Sequence, residues 1–204
     1  HYFLWRSVFR EESLSTPCRI VVDPTMSGLN NVLCKGINCL NSLYMIVINW
    51  RSWIVGFSGD ISKMYNTIRL YPSEYPYSLY YWSSTLDLSE EIEIWLYVVV
   101  TYGVVSSGNI TTAALRRVAT KFKDLFPLAY HILTKYTYMD DISGGRTLKA
   151  EADQVLKDVE EVISHAGFKM KCTVYLVKLQ MKKQVWMGFI LDLLVTFGHL
   201  WRII

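Results

Sequence analysis

The sequence predicts an α+β fold, an antiparallel sheet with helices packed on one face. Three observations lead there. Tyr138-Met139-Asp140-Asp141 closes an apolar-aromatic run and is followed at once by Ile142-Ser143-Gly144-Gly145, which reads as strand, tight turn, strand with the acids at the tip. Residues 149–166 set Ala152, Val155, Leu156, Val159, Val162, Ile163 and Ala166 on one stripe, the clearest helix in the chain. The central elements run strand, hairpin, helix, hairpin, helix, strand, an order that brings Asp60 and Asp140 within reach of one another.

The elements follow in order. Residues 17–23 read as a short strand with a Pro-Thr break after it, and residues 29–43 as a loop plus a short helix. Residues 53–61 are a β-rich run ending in Gly59-Asp60-Ile61. Residues 78–82 and 93–101 read as a hairpin whose acidic connection suits solvent. Residues 109–125 place Ile110, Ala113, Ala114, Val118, Phe122 and Leu125 at helical spacing. Thr147 is the expected N-cap of the 149–166 helix and Gly167 its stop. Residues 184–191 and 193–200 read as a final strand pair around Asp192.

Composition narrows the function classes. A chain of 204 residues, 51% hydrophobic and 19% charged, can bury one sizeable core in one or two lobes. The 14% aromatic share excludes a disordered chain. The net charge of +3 is compatible with a polyanionic partner but far weaker than the footprint of a strongly basic nucleic-acid binder. Cys18, Cys34, Cys39 and Cys172 form no CxxC pair and have no His at metal-ligand spacing, so they read as reduced, mostly buried thiols of an intracellular protein. Residues 94–105 are apolar but too short to span a bilayer, and fit a buried strand. No signal peptide is visible, and a chain running from His1 to Ile204 without an initiating Met is expected to continue in a longer polypeptide at both ends.

Adjacent carboxylates at a turn repel each other unless a cation holds them, and hard cations such as Mg²⁺ prefer carboxylate oxygens. Asp60, Asp140 and Asp141 are therefore the candidate catalytic and metal-binding acids.

Beyond the acids, several blocks in the same order resemble the catalytic core of a reverse transcriptase, most nearly that of the Bel/Pao group of LTR retrotransposons. Arg19-Ile20-Val21-Val22-Asp23 resembles its fingers block, and Gly28-Leu29-Asn30-Asn31-Val32-Leu33 with Lys35-Gly36 its Ser-Leu-Asn-Asp block. Gly59-Asp60-Ile61-Ser62-Lys63-Met64-Tyr65 resembles the first palm motif, and Tyr102-Gly103-Val104-Val105-Ser106-Ser107 the block that opens the template-side helix. Tyr138-Met139-Asp140-Asp141 is similar to the signature of the family, Gly167-Phe168-Lys169-Met170-Lys171 to the next palm block, and Val185-Trp186-Met187-Gly188-Phe189 to the block leading to the primer grip. The match covers about residues 1–195.

The resemblance implies a right-hand polymerase fragment, with fingers about 1–52 and 71–101, palm about 53–70 and 102–183, and the start of a primer-grip hairpin about 184–204. It implies an RNA-directed DNA polymerase that adds deoxynucleotides to a primer 3′ end, working with two Mg²⁺ ions or with Mn²⁺ in their place. Asp60 and Asp140 would bridge both ions, with Ile61 beside them in the metal set and Asp141 a weaker ligand or a more distant charge. Arg19 would meet the incoming triphosphate, Tyr65 would exclude a ribose 2′-hydroxyl, and Tyr102 and Gly103 would lie by the templating base pair. Lys169 or Lys171 would protonate the pyrophosphate leaving group, with Lys171 assigned to the nucleotide site; Tyr138, Met139, Met187 and Gly188 would contact the primer. The role of Lys63 stays open. Implied partners are an RNA or DNA template, a DNA primer, a deoxynucleoside triphosphate, and the thumb and RNase H portions of a longer polyprotein, in a cytoplasmic retrotransposon particle and without a membrane.

The chain departs from the group at Gly108-Asn109, where Ser-Pro is usual, at Cys172-Thr173 in place of Lys-Trp, and at Met187-Gly188-Phe189 in place of Leu-Gly-Leu. The first change is expected to loosen the start of the 109–125 helix. These departures define an alternative, a degenerate or domesticated domain that keeps the fold and acts as a nucleic-acid-binding or interaction module. An RNA-dependent RNA polymerase shares the palm but is disfavoured by Tyr138-Met139-Asp140-Asp141 and by the bulk of Tyr65.

Overall fold

Alternation builds the centre of the fold. Along β3 (Val55–Ile61) the residues Val55, Phe57, Gly59 and Ile61 are buried, while Ser58 and Asp60 on the opposite face stay half-exposed. The structure, a computed structural model, describes residues 1–9, 17–83 and 91–177. In it β3 lies inside a four-stranded antiparallel sheet of order β6–β7–β3–β8, made with β6 (Thr137–Tyr138), β7 (Asp141–Arg146) and β8 (Met170–Val177). The expected final strand pair at 184–191 and 193–200, with Met187 and Gly188, lies outside the described residues, as does most of the acidic 83–92 connection.

Three helices cover the Phe57 face: α4 (Ser107–Lys121), α5 (Pro127–Lys135) and α6 (Lys149–Ser164). The α6 stripe is as expected, with Ala152, Val155, Leu156, Val159, Val162 and Ile163 buried. The helix ends at Gly167, whose φ of 76° lets Gly167 N–H reach the Ser164 carbonyl and Phe168 N–H the Ile163 carbonyl. Its start differs from expectation: Leu148, not Thr147, is the N-cap, and no side chain caps it.

The sheet is not covered on one face alone. Across β3 and β7, Gly56 pairs with Gly145 on the face away from Phe57, and a Cβ at Gly56 would meet the Trp50 indole at 2.9 Å. Trp50 belongs to α2 (Leu43–Ser52), an element absent from the sequence reading, and its Nε1–H donates to the Phe57 carbonyl at 2.9 Å. Two further elements are new: α5, and β1 (Leu4–Phe9) paired antiparallel with β2 (Cys18–Asp23). Gly144 lies inside β7 and not in the turn, because a Cβ there would collide with the Phe57 ring and stand 2.9 Å from Ile132 Cδ1.

The α4 helix forms and Val118 and Phe122 of the expected stripe pack on the core, but the helix stops at Lys121, short of Leu125, and its most buried residues are others. Its buried residues are Ser107, Thr111, Thr112, Leu115 and Ala119, whereas Ile110 is 37% and Leu125 69% exposed. Threonine can be buried there because Thr111 and Thr112 hydroxyls donate to the Gly108 carbonyl at 3.0 and 2.8 Å, so no polar group is orphaned.

A second, smaller cluster of Phe3, Val22 and Leu29 joins the β1–β2 ribbon, α1 (Leu29–Val32) and the hairpin of β4 (Leu79–Trp82) and β5 (Glu93–Leu96). The buried strand expected over 94–105 is not formed. Strand β5 stops at Leu96 and all four of its residues are exposed, because this two-stranded ribbon has no sheet above it. The thiols differ too: Cys18 and Cys34 are exposed and Cys39 half-buried, all three free. Among the described residues, no helix is long and apolar enough to cross a membrane.

Candidate active site

The site forms where β3 ends beside the β6–β7 turn. Asp60 is the Cα partner of Asp141 across the antiparallel ladder, and Ile61 N–H donates to the Asp140 carbonyl at 2.9 Å. Main-chain pairing thus brings the three acids together. Met139 turns the chain with φ 53°, and Lys63, just past Ile61, has φ 49°. They are the non-glycine residues in the left-handed region among those described, and both flank the acids, where local backbone strain sets side-chain direction. Lys63 thereby serves as the N-cap of the short helix α3 (Met64–Thr67) that carries Tyr65.

Electrostatics follow from this crowding. Burial pushes the Asp60 carboxyl up to about 6, helped by the charge of Asp140 and a hydrogen bond with its side chain, while Lys171 opposes the shift. Asp141 is likewise pushed up to about 6, first by burial and then by Asp140 and Asp60. Acids crowded in this way are costly to ionise alone, and a cation beside them would offset that cost. Among the described residues no three His, Cys, Asp or Glu side chains converge into a ready-made cation cage. The donor set therefore fits an ion held by one or two carboxylates and completed by substrate phosphates, the usual manner for Mg²⁺. Ile61 is buried, so only its main chain could join such a set.

Beside the acids lies an open cavity of about 250 Å³, walled by Tyr65, Tyr102, Gly103, Met139, Leu40 and their neighbours. The Tyr65 and Tyr102 rings pack with centroids 4.3 Å apart at 41°, and the Tyr65 hydroxyl donates to Met139 Sδ at 3.7 Å. Burial, then Asp140, push the Tyr65 hydroxyl up to about 12, so it stays protonated. Burial and both Asp140 and Asp60 raise Tyr102, while the Arg19 charge lowers it, which puts Arg19 within electrostatic reach of the cavity. Gly103 has φ 84°, and a Cβ on it would stand 3.1 Å from Pro24 Cδ. Lys171, on β8, is the lysine whose charge acts on Asp60, whereas Lys169 accepts at its carbonyl from Ser62 N–H at 2.8 Å. Tyr138 pairs with Asp141 at the base of the turn.

The sequence reading missed a set of asparagines. Asn30 Nδ2 donates to the Gly103 carbonyl and its Oδ1 accepts from Val105 N–H, each at 2.9 Å, so it grips the turn that carries Tyr102. Asn109 does not loosen the helix start as expected. It ties α4 to the chain before α2, accepting from Cys39 N–H at 3.0 Å and donating to the Lys35 carbonyl at 2.8 Å. No local pattern in the sequence marks these asparagines, because their partners lie about seventy residues away along the chain.

No protein-family model matches the chain, and no curated protein matches it.

Proposed function

We propose that the chain is the fingers and palm of an RNA-directed DNA polymerase, a nucleotidyltransferase that adds deoxynucleotides to a primer 3′ end. The observation that carries this reading is the main-chain pairing that sets Asp60 opposite Asp141 and Ile61 against the Asp140 carbonyl, beside a cavity walled by Tyr65, Tyr102 and Met139. The ordered motif resemblance supports it. Two divalent cations, when bound, would activate the attacking 3′-hydroxyl and stabilise the leaving oxygen. Asp60 and Asp140 would hold them, with Asp141 adding negative charge. Arg19 offers the triphosphate a planar fork of donors. Tyr65, held by Tyr102 and Met139, would supply the bulky ring that excludes a 2′-hydroxyl. Lys171 holds a proton for the pyrophosphate.

The second reading, a non-catalytic nucleic-acid-binding module, draws on the departures at Gly108-Asn109 and Cys172-Thr173. Single-nucleotide extension of a DNA primer on an RNA template separates them. Metal-dependent deoxynucleotide addition supports the enzyme. Retained template–primer binding by folded protein that adds nothing with Mg²⁺ or Mn²⁺ favours the module.

A further inference from the structure

The stretch between α1 and α2, residues 33–42, has no regular secondary structure. Residues 34–38 of it are exposed, Ile37 at 86%, so apolar burial cannot fix its path. Polar side chains do so instead. Asn109 spends its whole amide on it, holding Cys39 N–H and the Lys35 carbonyl. Asn41 Nδ2 donates to the carbonyls of Thr134 and Thr137 at 3.1 and 2.9 Å, and the Arg116 guanidinium donates to Asn41 Oδ1 at 2.9 Å. Asn109 and Arg116 stand about two turns apart on α4 and so share a face.

Between the two fastenings sits Leu40, which lines the cavity together with Asn109 itself. A Cβ on Gly108 would stand 3.2 Å from Met139 Cε and 3.9 Å from Leu40 Cδ2, so Met139 and Leu40 close over the same bare point of α4. We propose that Asn109 and Asn41 are positioning residues: they hold the 35–41 strap so that Leu40 walls the cavity beside Tyr65 and Tyr102 and sets how closely a nucleotide is held. This rests on the reading of that cavity as a nucleotide site. The fastening touches neither Asp60 nor Asp140, so its loss affects nucleotide capture more than chemistry.

The strap reports on itself. Trypsin cleaves after Lys35 by attacking the carbonyl that Asn109 Nδ2 holds. The experiment compares the wild-type chain with Asn109→Ala and with Asn109→Asp, which keeps the acceptor for Cys39 N–H and loses the donor to Lys35. In Asn109→Ala, cleavage at Lys35–Gly36 is expected to accelerate about fivefold or more while other tryptic sites keep their rates. The KM for deoxynucleotide is expected to rise about fivefold or more, with a clearly smaller change in kcat. Asn109→Asp falls between in both. Equal cleavage rates, or faster cleavage with unchanged KM, overturn the proposal. A wild-type chain that adds no deoxynucleotide overturns the nucleotide reading beneath it, which is distinct from an active wild type matched by its variant.

Discussion

Asp60 faces Asp141 across the ladder while Ile61 N–H, one residue on, donates to the Asp140 carbonyl at 2.9 Å, so main-chain pairing gathers the acids at one end of the sheet. Crowding of this kind favours the neutral form of Asp60 and Asp141 at low pH and a bound cation once they ionise.

Stability should depend on pH with a definite sign. Asp60 and Asp141 titrate near 6 in the fold against 3.8 when unfolded, so the folded chain binds more protons between those values. Metal-free protein is therefore most stable below about pH 4 with respect to these groups and loses that stability as pH rises through about 6. Discounted for solvent screening, the loss is on the order of 1 kcal/mol, or about 2–4 °C in Tm. Mg²⁺ or Mn²⁺ should restore it at pH 7.5 and do little at pH 5. Thermal melts of wild type and Asp60→Asn check this; a variant that keeps the full pH slope and metal response would contradict it.

Tyr65 should set sugar selectivity. Tyr65→Val removes the ring that packs on Tyr102, so ribonucleotide discrimination should fall about tenfold or more. Because Tyr65 is 7% exposed, the change should also cost about 1–3 kcal/mol of stability. The ratio of kcat/KM for deoxy- and ribonucleotide measures the first effect. An unchanged ratio in folded variant would remove the sugar-gating role.

Burial along α4 and just past its end predicts a contrast. Leu115→Ala should cost about 2–4 kcal/mol, since Leu115 is fully buried. Leu125→Ala should stay within about 0.5 kcal/mol, since Leu125 is exposed. Urea unfolding of both variants checks that Leu115 belongs to the core and that Leu125, past the end of α4 at Lys121, does not.

Helix α4 shows where legibility ended. The sequence spoke clearly where a pattern was local and periodic: the α6 stripe, the β3 run ending in Asp60, and the turn at Met139-Asp140. It misled where a side chain satisfied itself inside its own helix, as Thr111 and Thr112 do on the Gly108 carbonyl. Leu43–Ser52 is mostly apolar on every side, so neither period stands out, yet Tyr44 and Ile48 are exposed. Pro127–Lys135 is a short helix opening on a proline that marks a break as readily as an N1 position. The juxtaposition of the acids could be argued from element order. The strap could not, because Asn109 and Asn41 act on partners far away in sequence.

The indole of Trp50 should matter as much as its bulk. Trp50→Phe removes the indole donor to the Phe57 carbonyl and should cost about 0.5–1.5 kcal/mol. Chemical denaturation measures it; a loss below about 0.3 kcal/mol would mean the bond is replaced by another partner.

The central claim is that Asp60 and Asp140 hold the ions of a nucleotidyl transfer. Its most direct measurement is single-deoxynucleotide extension of a DNA primer on an RNA template, comparing wild type with Asp60→Asn and Asp140→Asn in Mg²⁺ and then Mn²⁺. The account predicts metal-dependent addition by wild type and loss of about a thousandfold or more in either variant, with folding retained. Addition that persists in Asp140→Asn, or a folded wild type that adds nothing with either ion, would contradict it.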